Sequence, residues 1–340
     1  MKKKILIDAL FINIGGGLTL LNNLLISLES SSSKIQLLLD KRIKNSAIKI
    51  SNLYEKKYIE GSFFKRHLFY LKHKDSFKKV LCFANIPPSV EINSAVYTYF
   101  HQYSYINLPV GTPYIDHLKW FVKTQILKFL TKNTDKWFVQ SEHVKHELIN
   151  KFKLDDKTVE CYPMFSWDYD IERARKKIKN KFVYVSYSYS YKNHLRLIEA
   201  FANAYKECKK GELHLTVDKN HNTIMDKITF FQEKGVPIYN YGLITKEKVD
   251  RLYSEAEYLI FPSLMESFGL PLIEGIGYGC KIIVSRLPYA NAICIPSLSF
   301  DPYTVSDISK AIIHCLSNSL HESKLKISNK TEAMVKILIE

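Results

Sequence analysis

Paired cysteines are missing from this sequence. Its 340 residues include six cysteines, and no two of them form a C-x-x-C pair or repeat at a regular spacing. This scatter argues against a zinc site and a disulfide framework, and it favours a reducing, cytoplasmic setting. The six are Cys82, Cys161, Cys208, Cys280, Cys294 and Cys315.

Long apolar runs are missing as well. No stretch reaches the ~18–20 apolar residues that a membrane-spanning helix needs, so we expect a chain that touches a membrane at most. The N-terminus, three lysines before an apolar run, superficially resembles a signal peptide. Asp8 and Asn13 interrupt that run and no small-residue cleavage site follows it, so residues 4–9 are predicted to form a first buried strand.

Acidic residues are few relative to basic ones, 34 against 49, which gives a formal charge of +15. Such an excess favours an anionic partner, either nucleic acid, an anionic membrane face or a phosphorylated substrate, unless the lysines are merely solvated. Basic and aromatic residues are interleaved over 41–79 and again over 118–129, as in helices that bind membrane surfaces. The alternative is a core of aromatic residues beneath a solvated lysine face. No nucleic-acid-binding motif is present, so no nucleic-acid partner is expected.

Short apolar runs alternate with helix-length amphipathic segments, the pattern of a parallel sheet covered by helices. Two such series flank a charged, aperiodic segment at 164–181. We therefore predict an α/β protein of two Rossmann-like domains facing across a cleft, with an N-terminal domain at 1–165 and a C-terminal domain at 166–320. A C-terminal helix at 321–340 could pack back on the first domain. The predicted strands are 4–9, 80–84, 95–100, 137–140, 159–163, 182–186, 213–217, 238–241, 258–261 and 281–285, and the predicted helices are 18–28, 142–151, 194–209, 246–256 and 271–277.

The most informative string is FPSLMESFGLPLIE at residues 261–274. A buried strand is predicted to end at Phe261 and a helix to begin at Pro271, which is a favoured first helical residue. The free backbone N–H groups at such a helix start bind diphosphate well, and Gly269 lets a ligand approach closely. Taken alone, the string also fits a helix whose acidic residue simply complements the helix dipole.

The complete string resembles the E-x7-E signature of the family 4 retaining glycosyltransferases, with Glu266 and Glu274 as the two acids. The similarity extends over residues 180–315 and includes Tyr241-Gly242-Leu243-Ile244 before a helix. Tyr191-Lys192-Asn193-His194 resembles the Lys-Asn-His variant of the donor-phosphate motif in bacterial surface-polysaccharide enzymes.

This resemblance implies a GT-B fold and transfer of a sugar, with retention, from a nucleoside-diphosphate-sugar to an acceptor hydroxyl. It also implies no cofactor and no metal site. Catalytic roles fall to Glu266, Lys192 and His101, the last at the end of a predicted strand. The implied acceptor is a glycan or lipid-linked glycan in O-antigen, capsule or lipopolysaccharide synthesis. The protein would be cytoplasmic, with attachment to the inner face of the cytoplasmic membrane as an option. The implied donor-binding residues are Gly16, Gly17, Lys192, Asn193, Gly242, Leu243, Ser267, Phe268, Gly269, Leu270 and Glu274.

The sequence also departs from the family pattern. Ser186 and Tyr187 stand where many members carry a glycine and a cation, and Tyr191 stands where an arginine often precedes the lysine. Lys192 and the backbone N–H groups of the helix would then have to neutralise the diphosphate charge. These departures keep open a non-catalytic partner subunit or scaffold of the same fold, and more weakly a sugar-nucleotide epimerase. The D-x-D string at 168–170 matches a metal motif of single-domain glycosyltransferases, but it falls in the predicted linker and is discounted.

Overall fold

The computed structural model describes residues 4–44, 50–109, 112–166 and 177–340, and within these ranges the chain forms two compact units. The first unit takes residues 1–108, 112–166 and 328–340, and the second takes 109–111 and 167–327. The linker string at 168–170 lies outside the described residues.

The first unit is built on a seven-stranded sheet in the order β3-β2-β1-β4-β5-β6-β7, and every neighbouring pair is parallel. Its elements are β1 (Lys4–Ala9), α1 (Gly15–Leu28), β2 (Ile35–Asp40), β3 (Glu55–Ile59), α2 (Phe63–His73), β4 (Phe77–Cys82), β5 (Ala95–Phe100), α3 (Tyr114–Leu130), β6 (Lys136–Val139), α4 (Glu142–Phe152) and β7 (Val159–Cys161). Strand β2 is buried at all six positions, as expected for a parallel strand covered on both faces. Ser141 caps α4, since its hydroxyl accepts from the Val144 N–H at 3.3 Å.

The predicted start of the first helix at residue 18 is wrong, because α1 already begins at Gly15. Ile14 is extended, and Gly15 adopts φ +67°, a conformation that glycine takes without strain. The chain therefore turns at Gly15, and Gly16 and Gly17 form the first helical turn.

The second unit has a six-stranded sheet in the order β10-β9-β8-β11-β12-β14, again with parallel neighbours, and a small antiparallel pair, β13 and β15. Its elements are β8 (Ile178–Tyr184), α5 (His194–Cys208), β9 (Glu212–Leu215), α6 (Asn222–Gln232), β10 (Ile238–Asn240), α7 (Lys246–Glu255), β11 (Ala256–Phe261), α8 (Leu270–Gly277), β12 (Lys281–Ser285), α9 (Pro288–Ile293), β13 (Cys294–Ile295), β14 (Leu298–Phe300), α10 (Val305–Ser317) and β15 (Lys324–Leu325). The expectation of two parallel α/β domains is thus confirmed.

The last helix, α11 (Thr331–Ile339), belongs to the first unit and packs against α1. It buries Met334, Val335 and Leu338. The helix predicted over 321–340 is therefore shorter than expected. It begins only at Thr331, whose N–H donates to Asn329 Oδ1 at 3.0 Å. No helix in the described ranges combines the length and apolarity needed to cross a bilayer.

Candidate functional site

The second sheet has a topological switch point between β8 and β11. From β8 the chain crosses through α5 to β9 on one side, whereas from β11 it crosses through α8 to β12 on the other. The loops that follow the two strands, 185–193 and 262–269, therefore leave the same sheet edge in opposite directions. Ligands of open α/β sheets bind in the crevice that such a divergence creates.

Lys192 and Glu266 meet at this crevice. Their side chains form an ion pair, with 2.5 Å between Lys192 Nζ and Glu266 Oε1. Only 12% of the lysine side chain and 11% of the glutamate side chain are exposed. The lysine ammonium also lies 5.4 Å from the centre of the Tyr191 ring. Sequence reasoning named each residue but did not pair them, and the structure brings them into contact across 74 positions of chain.

Asn193 holds the two loops together. Its side-chain amide donates to the carbonyl oxygens of Pro262, at 3.1 Å, and Pro302, at 2.8 Å, and it is buried. The backbone here is left-handed, with φ +63°, which asparagine tolerates better than most residues. The Leu264 N–H donates to the Tyr191 carbonyl at 2.8 Å as a second tie. Asn193 is predicted to bind the donor, and in the structure its side-chain amide donates to these two carbonyls.

Helix α8 opens the other side of the crevice. It begins at Leu270, one residue before the predicted start, and Pro271 takes the second helical position. Gly269 adopts φ +76°, and no side chain caps the helix start. The first turn of α8 carries no acidic residue. Pro271 has no N–H and the Leu272 N–H donates to the Gly269 carbonyl at 2.9 Å, so an anion here would meet the helix dipole and the N–H groups of Gly269 and Leu270. Of the predicted donor-binding residues just before this helix, Phe268 is buried and Ser267 is half-buried.

Glu274 lies in the second turn of α8 and pairs with Lys246, the first residue of α7, with 3.4 Å between Oε1 and Nζ. Burial raises the pKa of the Glu274 carboxyl, although Lys246 opposes the shift. Burial also disfavours the charged lysine, but the carboxylates of Glu274 and Asp250 outweigh it and raise the pKa of Lys246. Sequence reasoning missed Lys246, and its position at a helix start after a glycine loop was the available signal.

The loop before α7 carries the predicted pair Gly242 and Leu243. Gly242 adopts φ +69°, and a Cβ added there would meet no atom within 4 Å. Leu243 is exposed. The space beside this loop is open, and the contact between Lys246 and Glu274 brings the loop to α8.

A second group of residues forms at the carboxyl edge of the first sheet. His101 follows β5, and its Nε2 lies 3.2 Å from where a Cβ on Gly17 would stand, so a side chain at Gly17 would press on the imidazole. Gly16 is exposed in the same helical turn. Burial lowers the pKa of His101 to about 4, which keeps its imidazole neutral at pH 7. The neutral ring can donate from one nitrogen and accept at the other.

Asn85 orients His101 and was missed by sequence reasoning. Its Oδ1 accepts from the backbone N–H of His101 at 2.6 Å and of Gln102 at 2.8 Å. Asn85 follows β4 with φ +71° and is buried. An asparagine just beyond an apolar run and before Ile86-Pro87 was the signal in the sequence.

Arg66 anchors the loop that carries Asn85. The guanidinium is 1% exposed and donates to Asp8 Oδ2 at 2.7 Å, to the Ile86 carbonyl at 2.6 Å and to the Pro87 carbonyl at 2.9 Å. Tyr70 donates to the same Asp8 oxygen at 2.6 Å. This buried cluster ties β1, α2 and the loop after β4 together.

Metal ligands are not clustered in the part of the chain that the structure describes. No group of three or more His, Cys, Asp and Glu side chains there could hold a metal ion. The D-x-D string at 168–170 falls outside that part.

Two parallel α/β units, with charged side chains at the switch point of the second, define a protein of the GT-B class. Solved GT-B structures superpose on most of the chain. Sucrose-phosphate synthase from Thermosynechococcus elongatus aligns with a TM-score of 0.73 at 17% identity, over 93% of this chain and 90% of that one. The lipopolysaccharide outer core galactosyltransferase WaaB aligns with a TM-score of 0.63 at 15% identity, over 100% and 94%. Anabaena HepE, solved with UDP and glucose, aligns with a TM-score of 0.67 at 11% identity, over 99% and 96%.

Sequence comparison adds a family match to this likeness in fold. Residues 166–334 match the family described as "Glycosyl transferases group 1". A segment of 124 residues is 27% identical to the serotype-specific mannosyltransferase WbdA of Escherichia coli; it covers 36% of this chain and only 15% of that protein. The family match is thus carried by residues 166–334, slightly less than half of the chain, and the resemblance to glycosyltransferases seen in the sequence is confirmed at that level.

Proposed function

We propose that this protein is a retaining, metal-independent glycosyltransferase that moves a sugar from a nucleoside-diphosphate-sugar to a glycan or lipid-linked glycan in bacterial surface-polysaccharide synthesis. The observation that carries the proposal is the Lys192–Glu266 ion pair at the switch point, beside the uncapped start of α8. The names of its relatives, a lipopolysaccharide galactosyltransferase and a serotype-specific mannosyltransferase, support the choice of acceptor.

The roles follow from charge and position. Lys192 exchanges Glu266 for a diphosphate oxygen when the donor binds, and the α8 amides share the negative charge of the leaving diphosphate. Glu266, freed from the lysine, accepts a hydrogen bond from a hydroxyl of the transferred sugar. Glu274 accepts from the ribose hydroxyls, with Gly242 and Leu243 beside it. In the first unit, we assign the neutral imidazole of His101 a hydrogen bond to a sugar substrate, with Gly16 and Gly17 leaving room for it.

Nucleotide binding tests the proposal directly. Glu274→Ala is expected to weaken UDP or GDP binding about tenfold to a hundredfold, because a charge-assisted hydrogen bond of about 1.5–3 kcal/mol is lost. Affinity is also expected to fall on acidification, since the ionised carboxylate is the acceptor and burial raises the pKa of Glu274. Calorimetric titration of UDP, GDP and ADP across pH measures both effects. Glu207→Ala, which removes an exposed carboxylate from α5, should bind like the wild type. A wild type that binds no nucleoside diphosphate would instead favour the scaffold alternative.

Metal independence is a separate expectation. Transfer should persist in excess EDTA, because Lys192 and the α8 amides are assigned the charge stabilisation that a divalent ion supplies elsewhere. Turnover is measured before and after chelation. Loss of activity that Mn²⁺ or Mg²⁺ restores would contradict the proposed mechanism.

Helix α3 supports membrane attachment as a second part of the proposal. Of its 17 described residues only Leu127 and Leu130 are buried. Tyr114 is 83% exposed, and Lys119 and Lys123 lie on the same helix. An amphipathic helix with exposed apolar side chains and lysines fits an anionic bilayer surface. The exposed apolar residues are Tyr114, Ile115, Leu118, Phe121, Val122, Ile126 and Phe129.

Vesicle flotation tests this attachment. The protein is expected to bind phosphatidylglycerol-containing vesicles in a salt-sensitive manner, since each lysine near an anionic surface contributes about 1 kcal/mol. Phe121→Ser with Phe129→Ser should abolish most of the binding, whereas Phe230→Ser, at an exposed phenylalanine on α6, should not. Equal partitioning onto neutral and anionic vesicles, or no binding at all, would refute membrane attachment by this helix.

A further inference from the structure

A strip of alternating tyrosines and serines precedes Lys192. Residues 186–192 read SYSYSYK, and the strip runs through Tyr187, Tyr189 and Tyr191. The Tyr189 and Tyr191 rings are stacked, with 5.6 Å between their centres and an interplanar angle of 6°. The Tyr187 ring centre lies 6.2 Å from that of Tyr189. The planes of these two rings are tilted by 46°, so the three rings form a series of neighbouring aromatic side chains that ends at the Lys192–Glu266 pair.

The outer part of the strip is open to solvent. Tyr187 is 46% exposed and Tyr189 is 50% exposed, whereas Tyr191 is partly buried beneath the lysine. A single exposed tyrosine needs no explanation. Two neighbouring ones in series with a stacked third provide a rigid, amphipathic surface that loses little conformational entropy when a ligand binds.

Ser188 lies in the same loop. It is only 8% exposed, and its Oγ is buried without a hydrogen-bond partner among the residues that the structure describes. Because this hydroxyl is shielded from solvent, the surface open to a ligand is that of the two tyrosines. Ser186, by contrast, is engaged, since its Oγ donates to the Tyr187 carbonyl at 3.0 Å. Exposed tyrosine rings suit a ligand with an apolar face and polar edges.

We propose that the strip of Tyr187 and Tyr189 is a subsite for a pyranose ring. A pyranose presents axial C–H groups on its face, which the negative face of a tyrosine ring attracts, while its hydroxyls at the edge remain in water. The inference rests on the proposed function, which places the diphosphate and the transferred sugar at Lys192–Glu266 and the ribose at Glu274. The loop of Lys192 is therefore on the sugar side of the donor, so a pyranose is the expected occupant of the strip and a nucleobase is not.

The pyranose has two possible sources, the transferred sugar of the donor and the acceptor glycan. Calorimetry with UDP, UDP-glucose, GDP and GDP-mannose addresses the first source, and saturation-transfer NMR with mannotriose and cellotriose addresses the second. The variant Tyr187→Ala/Tyr189→Ala is expected to weaken sugar binding about tenfold in one arm while UDP or GDP binds as before. Loss of the extra affinity for nucleotide-sugar over nucleoside diphosphate identifies the donor sugar, and loss of trisaccharide binding identifies the acceptor.

Matched variants distinguish the loss of ring contacts with the sugar from a loss of folding. Tyr187→Phe/Tyr189→Phe keeps the ring faces and is expected to retain most of the binding. Tyr239→Ala removes another exposed, stacked tyrosine of the same unit, on β10, and should bind sugar like the wild type. Thermal unfolding of all variants confirms that they are folded.

Several outcomes would overturn the subsite. They are a double alanine variant that binds every probe like the wild type, a wild type that binds no sugar moiety in either arm, and a double variant that loses UDP itself, which would mean base stacking. The subsite and the proposed function would also be refuted by different results. A wild type that binds trisaccharide through the tyrosines but binds no nucleoside diphosphate would retain the subsite and refute the proposed function.

Discussion

Replacing Glu266 by alanine is expected to lower the rate of sugar transfer about 100-fold while nucleoside diphosphate still binds. The carboxylate is assigned to the transferred sugar, where bond breaking develops charge, and groups that stabilise such charge in a water-poor site contribute about 10²–10³ in turnover. Its 11% exposure and its contact with Lys192 at 2.5 Å place it in such an environment. Removing it also leaves the lysine without its counter-ion until a donor arrives, which should preserve or even tighten diphosphate binding.

The measurement pairs a turnover assay with calorimetry of UDP or GDP. Glu266→Gln keeps the size of the side chain and can still accept a hydrogen bond, so a smaller loss is expected than for alanine. Lys192→Met should show the opposite split, with weaker nucleoside diphosphate binding. If Glu266→Ala changed diphosphate affinity and turnover by the same factor, the carboxylate would not be acting on the sugar.

Arg66→Met is expected to destabilise the first unit by about 3–5 kcal/mol, because it leaves the fully buried Asp8 carboxylate without its cation. The carbonyls of Ile86 and Pro87 lose their donors as well. Native-state hydrogen exchange of the β1 amides reports the stability of this unit separately from the second one. The neighbouring Lys65→Met removes an exposed cation from the same helix and should change stability by less than about 0.5 kcal/mol.

A second substitution distinguishes the buried charge from the lost packing. Asp8→Leu combined with Arg66→Met removes both ions and should be less destabilising than Arg66→Met alone. Equal destabilisation by the single and double variants would show that packing around the guanidinium, and not its charge, supports the loop of Asn85.

The sequence predicted most strands whose apolar residues stand in uninterrupted runs, but it missed β2, which contains Leu37-Leu38-Leu39 and is buried throughout. The bounds of β1, β5 and β12 are those expected. Strand β3 was missed because its sequence, EKKYI, is mostly charged, as suits an edge strand. Strand β8 begins at Ile178, four residues before its predicted start. Its first half was missed because it contains Lys181, a charged residue that an apolar pattern leaves out. In the structure this lysine is buried and pairs with Glu255 at 2.7 Å.

The candidate site was predictable where a local string carries it and not where distant residues meet. Glu266, Glu274 and Lys192 came from motifs of a few residues each. The contacts of these residues did not, because the pairing of Lys192 with Glu266 joins two distant loops and that of Glu274 with Lys246 depends on the packing of α7 beside α8. The motif also did not show that the Asn193 amide donates to the carbonyls of Pro262 and Pro302, because those residues are distant in sequence.

The position of α11 makes the second unit an insertion within the first. Apart from residues 109–111, the chain leaves the first unit after 166 and returns at 328 to place Met334 and Leu338 against its body. Lys79 of β4 secures the returning helix by donating to the Ile337 carbonyl at 2.5 Å. Exchanging the second unit between related proteins therefore needs two junctions, near 167 and near 327. A single crossover would join one protein's first sheet to a terminal helix that evolved against another's α1.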